Sequence, residues 1–116
     1  MILDELRSYL LAKPGAVEGF PFGPEHLVLK VCGKMFALIA LEEEPLRINL
    51  KCEPEKALAL RDAFAAVMPG YHMNKRHWNT VVLSIDLPAE ILTMMLDDSY
   101  SLVVAGLTRA MREKLG

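Results

Sequence analysis

Residues 69–81 read PGYHMNKRHWNTV and sit between a helix stop and a strand, gathering side chains that donate hydrogen bonds, stack or carry charge. His72 and His77 could shuttle protons or ligate a metal, Lys75 and Arg76 could hold an anion, and Trp78 offers a ring face to a base or an aromatic ligand. Asn74 and Asn79 each add a donor and an acceptor. The set fixes no reaction type. The two histidines are five positions apart, which misses the i, i+4 spacing that places two ligands on one helix face. No third ligand follows nearby, so both read as structural or solvent-facing groups. Lys75-Arg76 is too short a charge run to identify nucleic acid. Trp78, set before a strand, reads as a plug at the edge of the core with its indole N–H satisfied.

The flanking periodicity predicts the elements that must position these groups. Ile2, Leu6, Tyr9 and Leu10 repeat at helical spacing, and Lys13-Pro14-Gly15 stops that helix. After FPFGP (20–24), strands over 26–32 and 35–41 flank Gly33-Lys34, a hairpin signal whose glycine suits a II′ turn. Phe20 and Phe22 read as a staple between the first helix and the sheet. Glu42, Glu43, Glu44 and Pro45 form an acidic turn before a third strand over 46–51. Pro54 opens a second helix whose inner face carries Ala57, Leu60, Phe64, Val67 and Met68, and Pro69-Gly70 closes it. A fourth strand is expected over 79–85. Pro88 then opens a last helix through Ile91, Met94, Met95 and Leu102, with Ser99 expected to recap and kink it.

Successive side chains of a strand point to opposite faces. Leu46, Ile48 and Leu50 therefore share one face of the third strand, and Arg47, Asn49 and Lys51 the other; Val81, Leu83 and Ile85 likewise oppose Thr80, Val82 and Ser84. This predicts an α+β fold in the order α-β-β-β-α-β-α, an antiparallel sheet of four to five strands with helices packed on one face and a polar face turned away. MFALIAL (35–41) is apolar on both faces, so its strand is expected at the centre of the sheet over a greasy patch. If the loop over 71–78 folds back beside the third strand, Arg47, Asn49, Lys51, Lys75, His77 and Asn79 ring one basic, hydrogen-bonding depression.

The chain has 116 residues, of which 53% are hydrophobic and 24% charged, enough for one domain with one core. The start, MILDELRSYL, carries acids where a secretory peptide carries bases. The uncharged run over 99–108 is too short to span a bilayer. A cytoplasmic protein without membrane contact is expected. Cys32 and Cys52 fall in separate strands without C-x-x-C spacing and read as free thiols. The formal charge of −2 and pI near 5.9 oppose bulk attraction to nucleic acid, so any contact with phosphate needs a local basic face.

The 69–81 segment, with FPFGP (20–24), KVCGKMFAL (30–38), NLKCEP (49–54) and SYSLV (99–103), resembles the MmcQ/YjbR-like family of small bacterial proteins along nearly the whole chain. The resemblance implies an α+β fold like that of secretion chaperones, and a "double wing" DNA-binding role inferred for the family from fold.

Three function classes follow. The first is a non-enzymatic binding module, with weak and non-specific DNA contact through Arg47, Lys51, Lys75 and Arg76. The second is a protein or peptide adaptor using the open sheet face, or a pocket for a small anion. An enzyme ranks last: no nucleophile elbow, P-loop, dinucleotide fingerprint or paired carboxylate motif occurs, and neither a cofactor nor a metal is implied. The candidate ligand-binding residues are Arg47, Asn49, Lys51, His72, Asn74, Lys75, Arg76, His77, Trp78 and Asn79, in a monomer or weak homodimer.

Overall fold

A computed structural model of the chain describes residues 1–70, 73–84 and 86–116; candidate residue His72, its neighbour Tyr71 and Ile85 of the expected fourth strand lie outside these. Among the described residues the elements are α1 (Leu3–Leu11), β1 (Ala16–Gly19), β2 (His26–Val31), β3 (Lys34–Ala40), β4 (Arg47–Lys51), α2 (Pro54–Ala63), β5 (Val67–Pro69), β6 (Trp78–Val82), α3 (Ala89–Ala105) and α4 (Arg109–Lys114). The six strands form one antiparallel sheet in the order β1-β2-β3-β4-β6-β5. α3 lies across β2, β3 and β4, α1 packs on β1, and α2 packs on β5 and β6. Their apolar stripes meet the inner face of the sheet. Leu6, Leu10, Leu27, Leu29, Phe36, Ile39, Ile48, Leu50, Val81 and Leu96 are all buried in that layer. The α+β class, the helices on one side and the central place of β3 all follow the sequence pattern. No helix among the described residues is long and apolar enough to cross a membrane.

Six strands rather than four or five arise because two short segments complete the edges. β1 is only AVEG, too short for its alternation to be read, and gains its place by pairing with β2 from Ala16↔Val31 to Gly19↔Val28. β5 was expected as the end of the second helix. Phe64, Val67 and Met68 do fit helical spacing, but Phe64 turns to extended backbone (φ −131, ψ 122) and Val67 pairs with Val81, filling the free edge of β6. Pro69 ends β5 at the sheet edge, where its missing N–H leaves no gap in the ladder.

Two local features also differ from the sequence reading. The β2–β3 turn is Cys32-Gly33, closed by the Val31↔Lys34 pair, and both central residues have positive φ (49 and 78), the I′ arrangement whose twist matches the flanking strands. α3 runs unbroken through Ser99, which is fully buried instead of capping a kink. The Ser99 hydroxyl donates to the Phe36 carbonyl at 2.5 Å and accepts from the Lys51 N–H at 2.8 Å. It thereby joins two backbone groups just past Ala37↔Leu50, where the β3–β4 pairing ends next to the irregularity after Leu29.

Candidate functional site

The face of the sheet away from the helices holds a hollow of about 530 Å³ running along β3. Met35, Leu38 and Ala40 of β3 form its floor, with Met73 and Phe22 at the walls. Among the described residues, five polar side chains punctuate it: His26 from β2, Glu43 from the acidic turn, Arg47 and Asn49 from β4, and Thr80 from β6. Register explains the set. His26↔Ala40, Leu38↔Asn49, Ala40↔Arg47 and Asn49↔Thr80 are direct partners, so these side chains share one face by the alternation of strands. Asn49 is only 9% exposed. Its amide oxygen accepts from the Thr80 hydroxyl at 2.5 Å, and its amide nitrogen donates to the Met73 sulfur at 3.1 Å. A thioether is a weak acceptor, so Asn49 holds donor capacity at the edge of an apolar floor. The Arg47 guanidinium stands 4.0 Å from the Glu43 carboxylate, both half exposed, a pairing of opposite charges at the rim.

Of the described candidate residues, Arg47 and Asn49 enter this hollow, and the others do not gather there. Lys51 lies at the end of β4 opposite Trp78, on the same sheet face but outside the hollow. Asn74 braces a turn: its carbonyl accepts from the N–H groups of His77 at 3.1 Å and Trp78 at 2.9 Å, and its side chain accepts from the Arg76 N–H at 3.0 Å. His77 is half-buried and its carbonyl accepts from the Cys52 N–H at 2.8 Å. Trp78 is half-buried too, with its carbonyl held by the Gly70 N–H at 2.9 Å. A Cβ on Gly70 would sit 2.8 Å from that carbonyl oxygen, so the approach of the two chains requires glycine.

Lys75 and Arg76 project from the turn beside α2, where they line a separate depression of about 470 Å³ with Pro54, Glu55, Leu58 and Arg61. Arg61 fixes them there. Its guanidinium donates to the Lys75 carbonyl, to the Trp78 carbonyl at 3.3 Å, and to the Asn79 side-chain oxygen at 2.7 Å. Asn79 is the clear correction. It is fully buried on the helix side, where its amide also donates to the Ala57 carbonyl at 3.4 Å, because it shares a strand face with core residue Val81. The single ring of Arg47, Asn49, Lys51, Lys75, His77 and Asn79 is therefore not formed: Asn79 faces the core, and Arg61 holds the Lys75 carbonyl on the α2 side.

Residues the sequence reading missed are those that shape the hollow, namely Phe22, His26, Met35, Glu43, Met73 and Thr80. The doubly apolar β3 signalled a greasy centre, but which loops would wall it depends on contacts between segments far apart in sequence.

Among the described residues, the perturbed titrations lie away from the hollow. The hydrogen bond to Asp97 (2.6 Å) raises the Tyr9 phenol, and burial pushes the Cys52 thiol up. Burial also pushes the Asp97 carboxyl up, but hydrogen bonds from Lys13 and Tyr9, both 2.6 Å, outweigh it and leave the group below its ordinary value. These contacts tie α1 and its exit loop to α3. Among the described residues no group of three or more His, Cys, Asp and Glu side chains is placed to hold a metal ion.

A family model described as YjbR matches residues 11–102. Over 115 residues, covering 99% of the chain and 98% of the relative, the sequence is 35% identical to "Uncharacterized protein YjbR" of Escherichia coli strain K12. It is 40% identical over 90 residues to "Uncharacterized protein YbdF" of Escherichia coli O157:H7, covering 78% of the chain and 74% of the relative. Among solved structures, the Deinococcus radiodurans protein DR2400, which carries the domain called DUF419, superposes with a TM-score of 0.91 at 45% identity, covering 98% of this chain and 87% of that one. A Pseudomonas syringae protein superposes with a TM-score of 0.75 at 28% identity, covering 88% and 98%.

Proposed function

The chain belongs to the YjbR family, and from that premise we propose that it is a non-enzymatic binding module whose working surface is the open face of the sheet. One observation carries this reading: a hollow of about 530 Å³ whose apolar floor meets Asn49 and Arg47 along one side. Hollows of this size, mostly apolar with a few convergent polar groups, are the usual form of a ligand site. Asn49 adds direction, since a buried amide that donates to a sulfur, a weak acceptor, gains by meeting an oxygen acceptor from a ligand. A neutral, environment-sensitive apolar dye tests the reading. It should brighten on addition of the folded protein, and Ala40→Trp, which fills the floor, should abolish the response while circular dichroism stays unchanged. An undiminished response in that variant, with folding intact, overturns it.

A nucleic-acid role is the second reading, and the placement of Lys75 and Arg76 favours it. Both are exposed and share a depression with Arg61 and the start of α2. Contact there would be to phosphate, weak and nearly independent of sequence. Replacing Lys75 and Arg76 together by Glu should flatten the slope of log K against log salt by roughly 2 units if each neutralises a phosphate. No salt-dependent binding at low ionic strength removes this reading and leaves the first untouched.

A further inference from the structure

Building on the open sheet face as the binding surface, we propose that its occupant is an extended peptide segment with apolar side chains followed by Lys or Arg. The apolar part of the argument is the surface itself. Beside the main hollow lies a second depression of about 260 Å³, formed by Val17, Phe20, Pro21, Val28 and Lys30 on the same sheet face. The spur over 20–22 stands between the two, contributing Phe20 to one and Phe22 to the other. Val17, Phe20 and Phe22 are 59%, 53% and 64% exposed, an apolar patch without cover from the chain. Two depressions along one face suit the alternate side chains of an extended strand. The thioethers of Met35 and Met73 let the floor adapt to more than one side chain.

Charge selects the sign of the flank. Glu43 lines the main hollow at the end marked by Ala40, His26 and Arg47, and its chain neighbours Glu42 and Glu44 are exposed in the same turn. Glu25 joins them, because its carbonyl accepts from the Leu41 N–H at 2.9 Å and fixes it beside the acidic turn. Arg47 opposes these four carboxylates and already faces Glu43 at 4.0 Å, so this end is net negative. Lys30 lines the second depression together with Glu18, whose carboxylate is already paired with Arg7, so the far end of the face carries no such negative excess. A cation in the occupant is therefore drawn to the acidic end, where apolar walls focus the field. Asn49 favours a peptide over another apolar cation: its amide can exchange the weak Met73 sulfur for a backbone carbonyl, an acceptor every peptide repeats.

Three synthetic octapeptides with one shared Leu- and Met-containing core, ending in two Arg, two Gln or two Glu, provide the test by fluorescence anisotropy at low salt. The Arg peptide should bind about tenfold more tightly than the Glu peptide, a gap worth a modest charge complementarity. Glu42→Gln, Glu43→Gln and Glu44→Gln combined should bring the three peptides within about twofold of one another, because only the steering charge is removed. These positions are exposed, so the variant keeps its fold. Equal binding of all three peptides to the unaltered protein, lost on Ala40→Trp, overturns the charge selection while leaving the hollow as the binding surface. Binding of none of them, alongside a dye response that Ala40→Trp abolishes, overturns the peptide proposal alone. Failure of both peptide and dye overturns the surface itself.

Discussion

Ser99→Ala removes one oxygen from the middle of α3 and severs the hydrogen bonds that join the Ser99 side chain to β3 and β4. The hydroxyl is fully buried, donates to the Phe36 carbonyl and accepts from the Lys51 N–H. Its loss leaves a backbone acceptor and a backbone donor facing a methyl group in the core. A buried group without its partner costs about 1–3 kcal/mol. The space freed is less than one oxygen atom, too small for the roughly 10–15 Å³ that a replacement water needs. Better helix propensity of Ala returns at most about 0.5 kcal/mol. The net destabilisation should be about 2–4 kcal/mol. For a domain of this length each kcal/mol lowers Tm by about 4 °C, so a fall of about 8–16 °C is expected. Urea unfolding followed by circular dichroism measures it, with Ser101→Ala on the exposed side of the same helix as the control, expected within about 0.5 kcal/mol of the parent. A loss at Ser99 no larger than at Ser101 would refute the bridging role.

Arg61→Ala should cost about 2–4 kcal/mol, because it strips a charged donor from buried Asn79 and from two loop carbonyls, and chemical denaturation reads it directly. The same variant should raise amide exchange over 75–78 more than anywhere in β2 or β3, measured by hydrogen–deuterium exchange. Phe36→Ala, emptying a fully buried site against Tyr100, should cost about 3–5 kcal/mol, and Phe64→Ala, at a half-buried site where the helix has ended, about 1–2 kcal/mol; equal losses would contradict the early end of α2. Asp97 has a folded-state carboxyl below its ordinary value, so its stabilising contribution is complete above about pH 4 and is lost as pH falls further. Asp97→Asn should therefore lower Tm at neutral pH and make the decline of Tm below about pH 4 shallower, and an unchanged slope counts against the coupling to Lys13 and Tyr9.

Alternation and helical spacing made most of the core legible. Ile48, Leu50 and Val81 could be assigned to the helix side from their period of two, and they lie there. The same rule placed Asn79 with Val81, yet its polarity invited an assignment to the polar face; an Arg from a distant helix was needed to make a buried Asn acceptable, and no local pattern announces such a partner. β5 was hidden because Val67 and Met68 satisfy both a helix and a strand, and the unpaired edge of β6 decides between them. The polar residues Arg47 and Asn49 along one side of the hollow were legible from β4 alone. The walls of the hollow were not, since Phe22, Glu43 and Met73 come from three loops that only the folded sheet brings together.

The claim that the open sheet face is where this protein binds can be tested by one amide chemical-shift map, recorded on 15N-labelled protein with and without the Arg-flanked octapeptide. Shifts should concentrate at Leu38, Ala40, Asn49 and Thr80, spread to Phe22 and Glu43, and spare Leu58, Lys75 and Arg76 on the α2 side. No shifts at millimolar peptide would contradict the peptide as occupant, and shifts confined to the α2 side would contradict the open sheet face as the binding surface.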